Sequence, residues 1–410
     1  MRHSFLPLIH FKSVSYKYTN DSEKKIDGRP ITDKPRDIMF AGHLDGFIYR
    51  YYAEKLNCYY NKWAIKYGID ECSLAYRDNK KGQSNVEFAA QMIRKIDDFS
   101  NAYILIGDFT KYFDKLDHKI LKNNLMRVMG TNFLESDWYN VFRSVTKYGY
   151  YKKEFLEEKF GSDKKLRSEK RFSYFNSVIE FRAFQRNFNT EKNLNKYGIP
   201  QGVAISAVLA NIYAIQFDRE VQAIAKKLGG VYNRYSDDFI VAIPKTKETN
   251  ATVLKKIEQK IRSLAEENEI TLQETKTKLF ELNNKKMYSV SDGIPAHLDY
   301  LGFLYDGETV QMRAKSPHKF YRNANKLISK ANDVKKGKKL NKIPYRRQLY
   351  RLYTDYGLDR KNGSFIYYAK RAQSSFDLIS PNTKNVMMQQ IKNRKRKLEK
   401  ELGYRLSTKV

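Results

Sequence analysis

Three aspartates have the types and spacing to do chemistry together. Asp108 closes the apolar run "AYILIGD", and Asp237 and Asp238 stand side by side in "NRYSDDFIVA", residues 233–242. Carboxylates gathered from separate strand ends make a site for divalent cations. Mg²⁺ takes oxygen ligands and keeps several waters, so a few carboxylates suffice. Two such ions about 3.5–4 Å apart stabilise the attacking and leaving oxygens of an in-line displacement at phosphorus. Like charges this close raise each other's proton affinity unless a cation offsets them. On these ten residues alone the doublet also suits a plain turn, because Asp bonds its own backbone there.

The elements that must position these acids follow from apolar spacing. Residues 36–67 repeat apolar and aromatic positions every three or four residues and predict helices. Residues 74–96 read as a short extended piece, a basic loop, and a helix capped by Ser84 or Asn85. Residues 102–106 predict a buried strand ending at an acid, with helical spacing resuming beyond it. The dense mixed charge of 151–172 predicts a solvated excursion or insertion without chemistry. "GIPQGVAISAVLANIYAIQFD" (198–218) predicts a Gly/Pro turn and then one long buried helix. An amphipathic helix near 249–268, a hairpin over "LDYLGFLYDGETVQMR", and basic helices over 313–400 complete the chain. The order predicts an α+β fold with a small antiparallel sheet at its centre.

Charge points to the partner. The 410 residues carry 77 Lys and Arg against 46 Asp and Glu, a net of +31. Residues 311–410 hold 27 of the basic and 6 of the acidic residues, a net of +21. So concentrated a field suits a polyanion, nucleic acid above all. The 31 tyrosines and 24 phenylalanines can stack on unpaired bases, though most must serve packing. Two cysteines, Cys58 and Cys72, support neither a zinc site nor a disulfide framework. No run of eighteen apolar residues occurs and the N-terminus lacks a secretory signal pattern. The expectation is a cytoplasmic protein with no membrane partner; the oligomeric state stays open.

At this point the motifs, taken in order over roughly residues 35–310, resemble the reverse transcriptase family. "DFTKYFD" (108–114) is similar to its first catalytic motif. "GIPQGVAISAVLANIY" (198–213) resembles the turn and helix beneath the templating base pair, and "YSDD" (235–238) the Tyr-x-Asp-Asp box. "LQETKTKL" (272–279) resembles the lysine motif beside the triphosphate, and "YLGFLYDG" (300–307) the primer-grip hairpin. "LAYRDNKKGQSN" (74–85) resembles the fingers segment that meets the phosphates.

The resemblance implies a right-hand polymerase. Fingers would span 1–100, palm 101–130 and 197–310, an insertion 131–196, and a helical basic thumb 311–410. It implies two Mg²⁺ ions, with Mn²⁺ as a substitute, held by Asp108 and Asp237 with the Phe109 carbonyl, and Asp238 flanking them. Gln201 and Gly202 would contact the incoming dNTP, and Arg77 with Lys80 or Lys81 its phosphates. Lys276 would be the late-motif lysine, with Lys278 its competitor. Phe113, five residues past Asp108, occupies the place of the bulky residue that excludes a ribose 2′-hydroxyl; RNA-templated RNA polymerases usually carry an acid there, and here the acid, Asp114, is one place later. Lys392, Arg394, Lys395 and Arg396 are the expected nucleic-acid contacts of the thumb. The fingers segment, and the absence of recognisable intron-type and retron-type signals, resemble the bacterial defence-associated reverse transcriptases. That implies a structured noncoding RNA as template and a cDNA product. A retron or intron-type enzyme and a non-catalytic RNA-binding scaffold are the other readings.

Overall fold

The structure is a computed structural model that describes residues 3–18, 31–354 and 364–408. At its centre lies an antiparallel five-stranded sheet in the spatial order Val231–Tyr235, Asp238–Pro244, Ala102–Asp108, Lys278–Asn283, Lys286–Ser289. The Ala102–Asp108 strand pairs on both sides, with Asp238–Pro244 and with Lys278–Asn283.

Period-2 alternation builds two cores on this sheet. Tyr103, Leu105, Phe239, Val241 and Ile243 face one way, into a core shared with the helices His43–Lys66, Ala204–Tyr213, Ile215–Lys227 and Ala251–Glu267. Ala102, Ile104, Ile240, Ala242, Phe280 and Leu282 face the other, toward the helix Asn85–Asp98 and the C-terminal helices. A strand covered on both faces must be apolar at every position, which is why "AYILI" reads as an unbroken run. Ser84 caps Asn85–Asp98 in a full capping box with Glu87.

Three expectations need correction. Residues 36–40 are not helical. Ile31–Phe40 is a strand paired antiparallel with Leu8–Tyr18, and the helix begins only at His43, beyond Gly42. The long helix after "GIPQG" is two, Ala204–Tyr213 and Ile215–Lys227, broken at Ala214. Residues 151–172 are not merely solvated. They begin at the end of the strand Gly149–Lys152, which pairs with Leu8–Tyr18 and with Glu191–Lys192, and the helices Lys153–Phe160, Asp163–Ser168 and Val178–Asn187 follow. Phe155, Phe160, Phe175, Phe184 and Phe188 form an aromatic cluster there, with ring centroids 4.7–6.0 Å apart. Charged residues interleave with those rings at helical spacing, so charge density alone misjudged the segment.

The "LDYLGFLYDGETVQMR" stretch is a three-strand meander, Leu298–Tyr300, Phe303–Tyr305 and Thr309–Met312. Beyond it come the helices Lys315–Gly337, Arg346–Leu352, Phe365–Ile379 and Met387–Leu402. Cys58 is exposed and Cys72 buried, both as free thiols. Among the described residues no helix is long and apolar enough to cross a membrane.

Candidate active site

Asp108 ends the central strand and stands in register with Asp238, the first residue of its neighbour. Asp237 occupies the two-residue turn between Tyr235 and Asp238, which pair across it. Its backbone carbonyl accepts a hydrogen bond from the Phe109 N–H at 2.9 Å, tying the two acid-bearing loops together. Sheet pairing therefore brings residues 129 positions apart to one sheet end, as the sequence reading required.

Asp108 is buried, and Lys276 places its ammonium 2.8 Å from one carboxylate oxygen. Lys276 lies in the short turn Glu274–Lys276 that leads into the Lys278–Asn283 strand; Lys278, the alternative, begins that strand opposite Ile106. Asp238 is the exposed member of the pair. Its carboxyl is pushed up to about 7 by loss of water, then by the neighbouring Asp237 and Asp108 charges, with Lys276 acting against the rise. The site is short of positive charge.

Phe109 is buried against Tyr112, Phe217 and Phe239. Gln273 N–H donates to the Asp108 carbonyl and Thr110 N–H to the Thr271 carbonyl, so this short ladder uses the groups on either side of Phe109 and not the carbonyl of Phe109 itself. Hard oxygen donors at strand ends, together with an ammonium drawn onto Asp108, fit divalent-cation chemistry. Among the described residues no group of three or more acids, histidines or cysteines already converges as a cation cage.

Gln201 and Gly202, the residues expected beside the nucleotide, are held by an element that sequence reasoning did not find. The strand Ile31–Phe40 lies on the "PQG" turn, where the Met39 N–H donates to Gln201 O at 2.8 Å. Gly202 has φ +111°, and a Cβ there would come within 2.7 Å of Met39 O, so both backbone angle and space demand glycine. Phe113 is half-buried, edge-on to Tyr112, and its carbonyl accepts from the Ile199 N–H. The gate position and the "PQG" turn are thus one unit.

The fingers segment departs from expectation. The Arg77 side chain is enclosed, bonded to Asp70, to Asn61 at 2.6 Å and to the Ser73 carbonyl at 2.9 Å, and packed over the Tyr60 ring. Lys80 binds Asp70 at 2.7 Å. Of the three expected phosphate contacts only Lys81 is exposed.

In the last helix Lys392 and Arg396 are exposed and Arg394 is half-buried, its guanidinium on the Gln390 carbonyl at 3.2 Å. Lys395 must be corrected. It is 7 % exposed, 3.7 Å from Glu399 and over the Tyr353 ring. Met387, Ile391, Lys395 and Leu398 share the inward stripe, and that spacing was visible in the sequence.

Reasoning also missed Arg234 and Asp218, a fully buried ion pair at 2.7 Å behind the turn. Alternation puts Arg234 on the inward face with Tyr232, and Asp218 is the first charge after a long apolar stretch. Two charges at core positions were the available signal.

An α+β fold whose central sheet carries carboxylates at paired strand ends, with helices packed on both faces, is that of a nucleic-acid polymerase palm. The reverse transcriptase (RNA-dependent DNA polymerase) family model matches residues 69–305, more than half of the chain, and the chain belongs to that family. No curated protein sequence matches it. Among solved structures it is similar to telomerase from Candida albicans in complex with a TWJ fragment of telomeric RNA, at 10% identity and TM-score 0.45 over 99% of this chain and 63% of that one. It is also similar to telomerase from Candida tropicalis in the corresponding complex, at 12% identity and TM-score 0.44 over 100% of this chain and 64% of that one. A Candida tropicalis apo telomerase truncated from its C-terminal domain gives 12% identity and TM-score 0.43 over 73% and 53%. The chain therefore spans less than two thirds of the length of these telomerases.

Proposed function

We propose that this chain is an RNA-templated DNA polymerase that adds dNTPs to a primer end. The observation that carries the reading is the in-register pairing of Asp108 with Asp238, with Asp237 in the adjoining turn and Lys276 on Asp108. Asp108 and Asp237, with the Phe109 carbonyl, would hold two Mg²⁺ ions, and Asp238 would flank them. When bound, the ions supply charge stabilisation to the attacking and leaving oxygens at the α-phosphate.

The protein's own groups do the rest. Sheet pairing fixes the spacing of the carboxylates, so no reorganisation is needed as charge develops. Lys276, a cation 2.8 Å from Asp108, would be the ammonium available to the triphosphate. Gln201 and Gly202 form the floor under the nucleotide. The half-buried Phe113 ring is the wall against which a deoxyribose fits and a 2′-hydroxyl does not, which favours dNTPs. Lys81 is the fingers cation with access to phosphate. Lys392, Arg394 and Arg396 stand on a helix of the basic C-terminal quarter, a surface suited to a nucleic-acid backbone.

The finger, palm and thumb spans given above are part of the proposal. So are a structured noncoding RNA as template, a cDNA product, and a setting in bacterial antiphage defence within the cytoplasm. The resemblance of the fingers segment and the concentrated charge after residue 310 support these. RNA recovered with the protein from native cells tests them. One enriched structured species, with its DNA copy, is the expected result; a spread of cellular transcripts overturns it.

A further inference from the structure

We propose that Arg234 is the positioning residue for Asp237, setting the direction of that carboxylate from inside the protein; the inference rests on the polymerase reading above for what the carboxylate does. Ser236 and Asp237 are the two central residues of the hairpin turn, and Ser236 has φ +61°. That left-handed backbone usually falls to glycine in two-residue hairpin turns. A serine there has to be held in place.

The hold is visible on both sides of Asp237. On its N-terminal side Arg234 Nη1 donates to the Ser236 carbonyl at 2.8 Å. On its C-terminal side Phe109 N–H donates to the Asp237 carbonyl at 2.9 Å. The two peptide planes that flank the Asp237 Cα are therefore both pinned, and the side chain between them has its origin fixed. Only the first of these pins comes from a side chain.

Arg234 has no freedom to do anything else. It donates five hydrogen bonds, the full complement of a guanidinium. Nε and Nη2 form a fork on Asp218, both at 2.7 Å; Nη2 also reaches Ser73 Oγ at 3.2 Å, and Nη1 also reaches Asn211 Oδ1 at 3.3 Å. Asp218 in turn accepts from Tyr232 at 2.7 Å. Arg234 and Asp218 side chains are both 0 % exposed. A buried pair of this kind gives little net stability over apolar packing, which directs attention to what its geometry specifies.

The same network reaches the fingers. Ser73 accepts from Tyr60, Asn211 donates to the Ala75 carbonyl at 2.7 Å, and Tyr76 shares a hydrogen bond with Ser236 Oγ at 3.1 Å. The backbone of Arg234 also exchanges bonds with Cys72 and Leu74. The segment 72–76 and the turn at 236–237 therefore move as one body, with Arg234 at the joint.

Arg234→Lys in the full chain is the test. Lysine keeps a cation against Asp218 but loses the planar fork that also reaches the Ser236 carbonyl. Tyr49→Phe is the control, since it removes a part-buried hydrogen bond to Ser144, which is not a member of the Arg234 network. Mn²⁺ binding is read by electron paramagnetic resonance, and nucleotide addition on a primer–template is read in parallel. For Arg234→Lys the expected result is Mn²⁺ affinity lowered about 10–100-fold, the usual effect of losing an outer-shell partner. A comparable loss in kcat and little change in template KM should accompany it. Tyr49→Phe should lower only Tm.

Folded Arg234→Lys protein with wild-type Mn²⁺ affinity would overturn the proposal. Should that variant not fold, Asn211→Leu is read in its place. It leaves the ion pair and the Ser236 bond in place but removes the second acceptor that aims Nη1, and it unhooks Ala75; weakened Mn²⁺ binding supports the proposal and unchanged binding overturns it. A wild-type chain that binds Mn²⁺ but adds no nucleotide would defeat the polymerase reading and still leave the resonance comparison decisive for Arg234.

Discussion

Asp108 and Asp238 stand in register with Asp237 in the adjoining turn and the Lys276 ammonium on Asp108, and the expectations for these acids come from that excess of negative charge. Asp108→Asn or Asp237→Ala should reduce dNTP incorporation by several orders of magnitude while leaving the melting temperature near wild type or above it. Removing one of several crowded like charges relieves repulsion in the fold and removes metal affinity. Near-normal incorporation by either purified variant would rule out these ligands. The raised proton affinity of Asp238 sets a pH dependence. Its folded-state value of about 7 lies above the ordinary 3.8, so the metal-free protein has this group's full contribution below about pH 4 and loses it as pH rises through 7. Mg²⁺ offsets the repulsion, so its stabilisation in a thermal shift should be larger at about pH 8 than at about pH 6. Equal shifts would mean that the cation binds elsewhere. Phe113→Val should raise ribonucleotide use relative to deoxyribonucleotide use in single-turnover assays; an unchanged ratio would make the ring a packing residue only.

At the scale of elements, the last helix divides its four expected nucleic-acid residues between two jobs. Lys392 and Arg396 project outward, and Lys395 lies on the inward stripe against Tyr353 and Glu399. Replacing Lys392 and Arg396 by Gln should flatten the salt slope of log RNA affinity by about 0.7–0.9 for each phosphate no longer neutralised. Lys395→Gln should instead cost about 1–3 kcal/mol of stability and leave the slope alone. A slope that answers to Lys395 and not to its neighbours would contradict this division. The same helix shows what was legible in the sequence. Charge told that the region is basic, but only the 387, 391, 395, 398 spacing told which lysine is inside. The central strand and the "YSDD" hairpin were legible because alternation and apolar runs are local signals. The strand Ile31–Phe40 was not, because its partner and its approach to Gly202 are set by tertiary pairing. Arg77 likewise reads as a free cation until Asp70, Asn61 and Tyr60 close around it.

For the whole molecule, the net charge of +31 and the acid-lined end of the central sheet belong to one device. On the proposed reading the basic surface gathers a polyanion, and the carboxylates need cations to work on it. Their opposition is what would distinguish a polymerase from a nucleic-acid binder, and it makes primer extension the most direct test. The purified chain is given a DNA primer annealed to an RNA template, dNTPs and Mg²⁺, beside the Asp237→Ala Asp238→Ala double variant, and the products are sized on a denaturing gel. The expected result is template-dependent DNA extending the primer in the wild type and none in the variant. Extension that is equal in the two proteins, or that proceeds with ribonucleotides and not with dNTPs, would contradict the account.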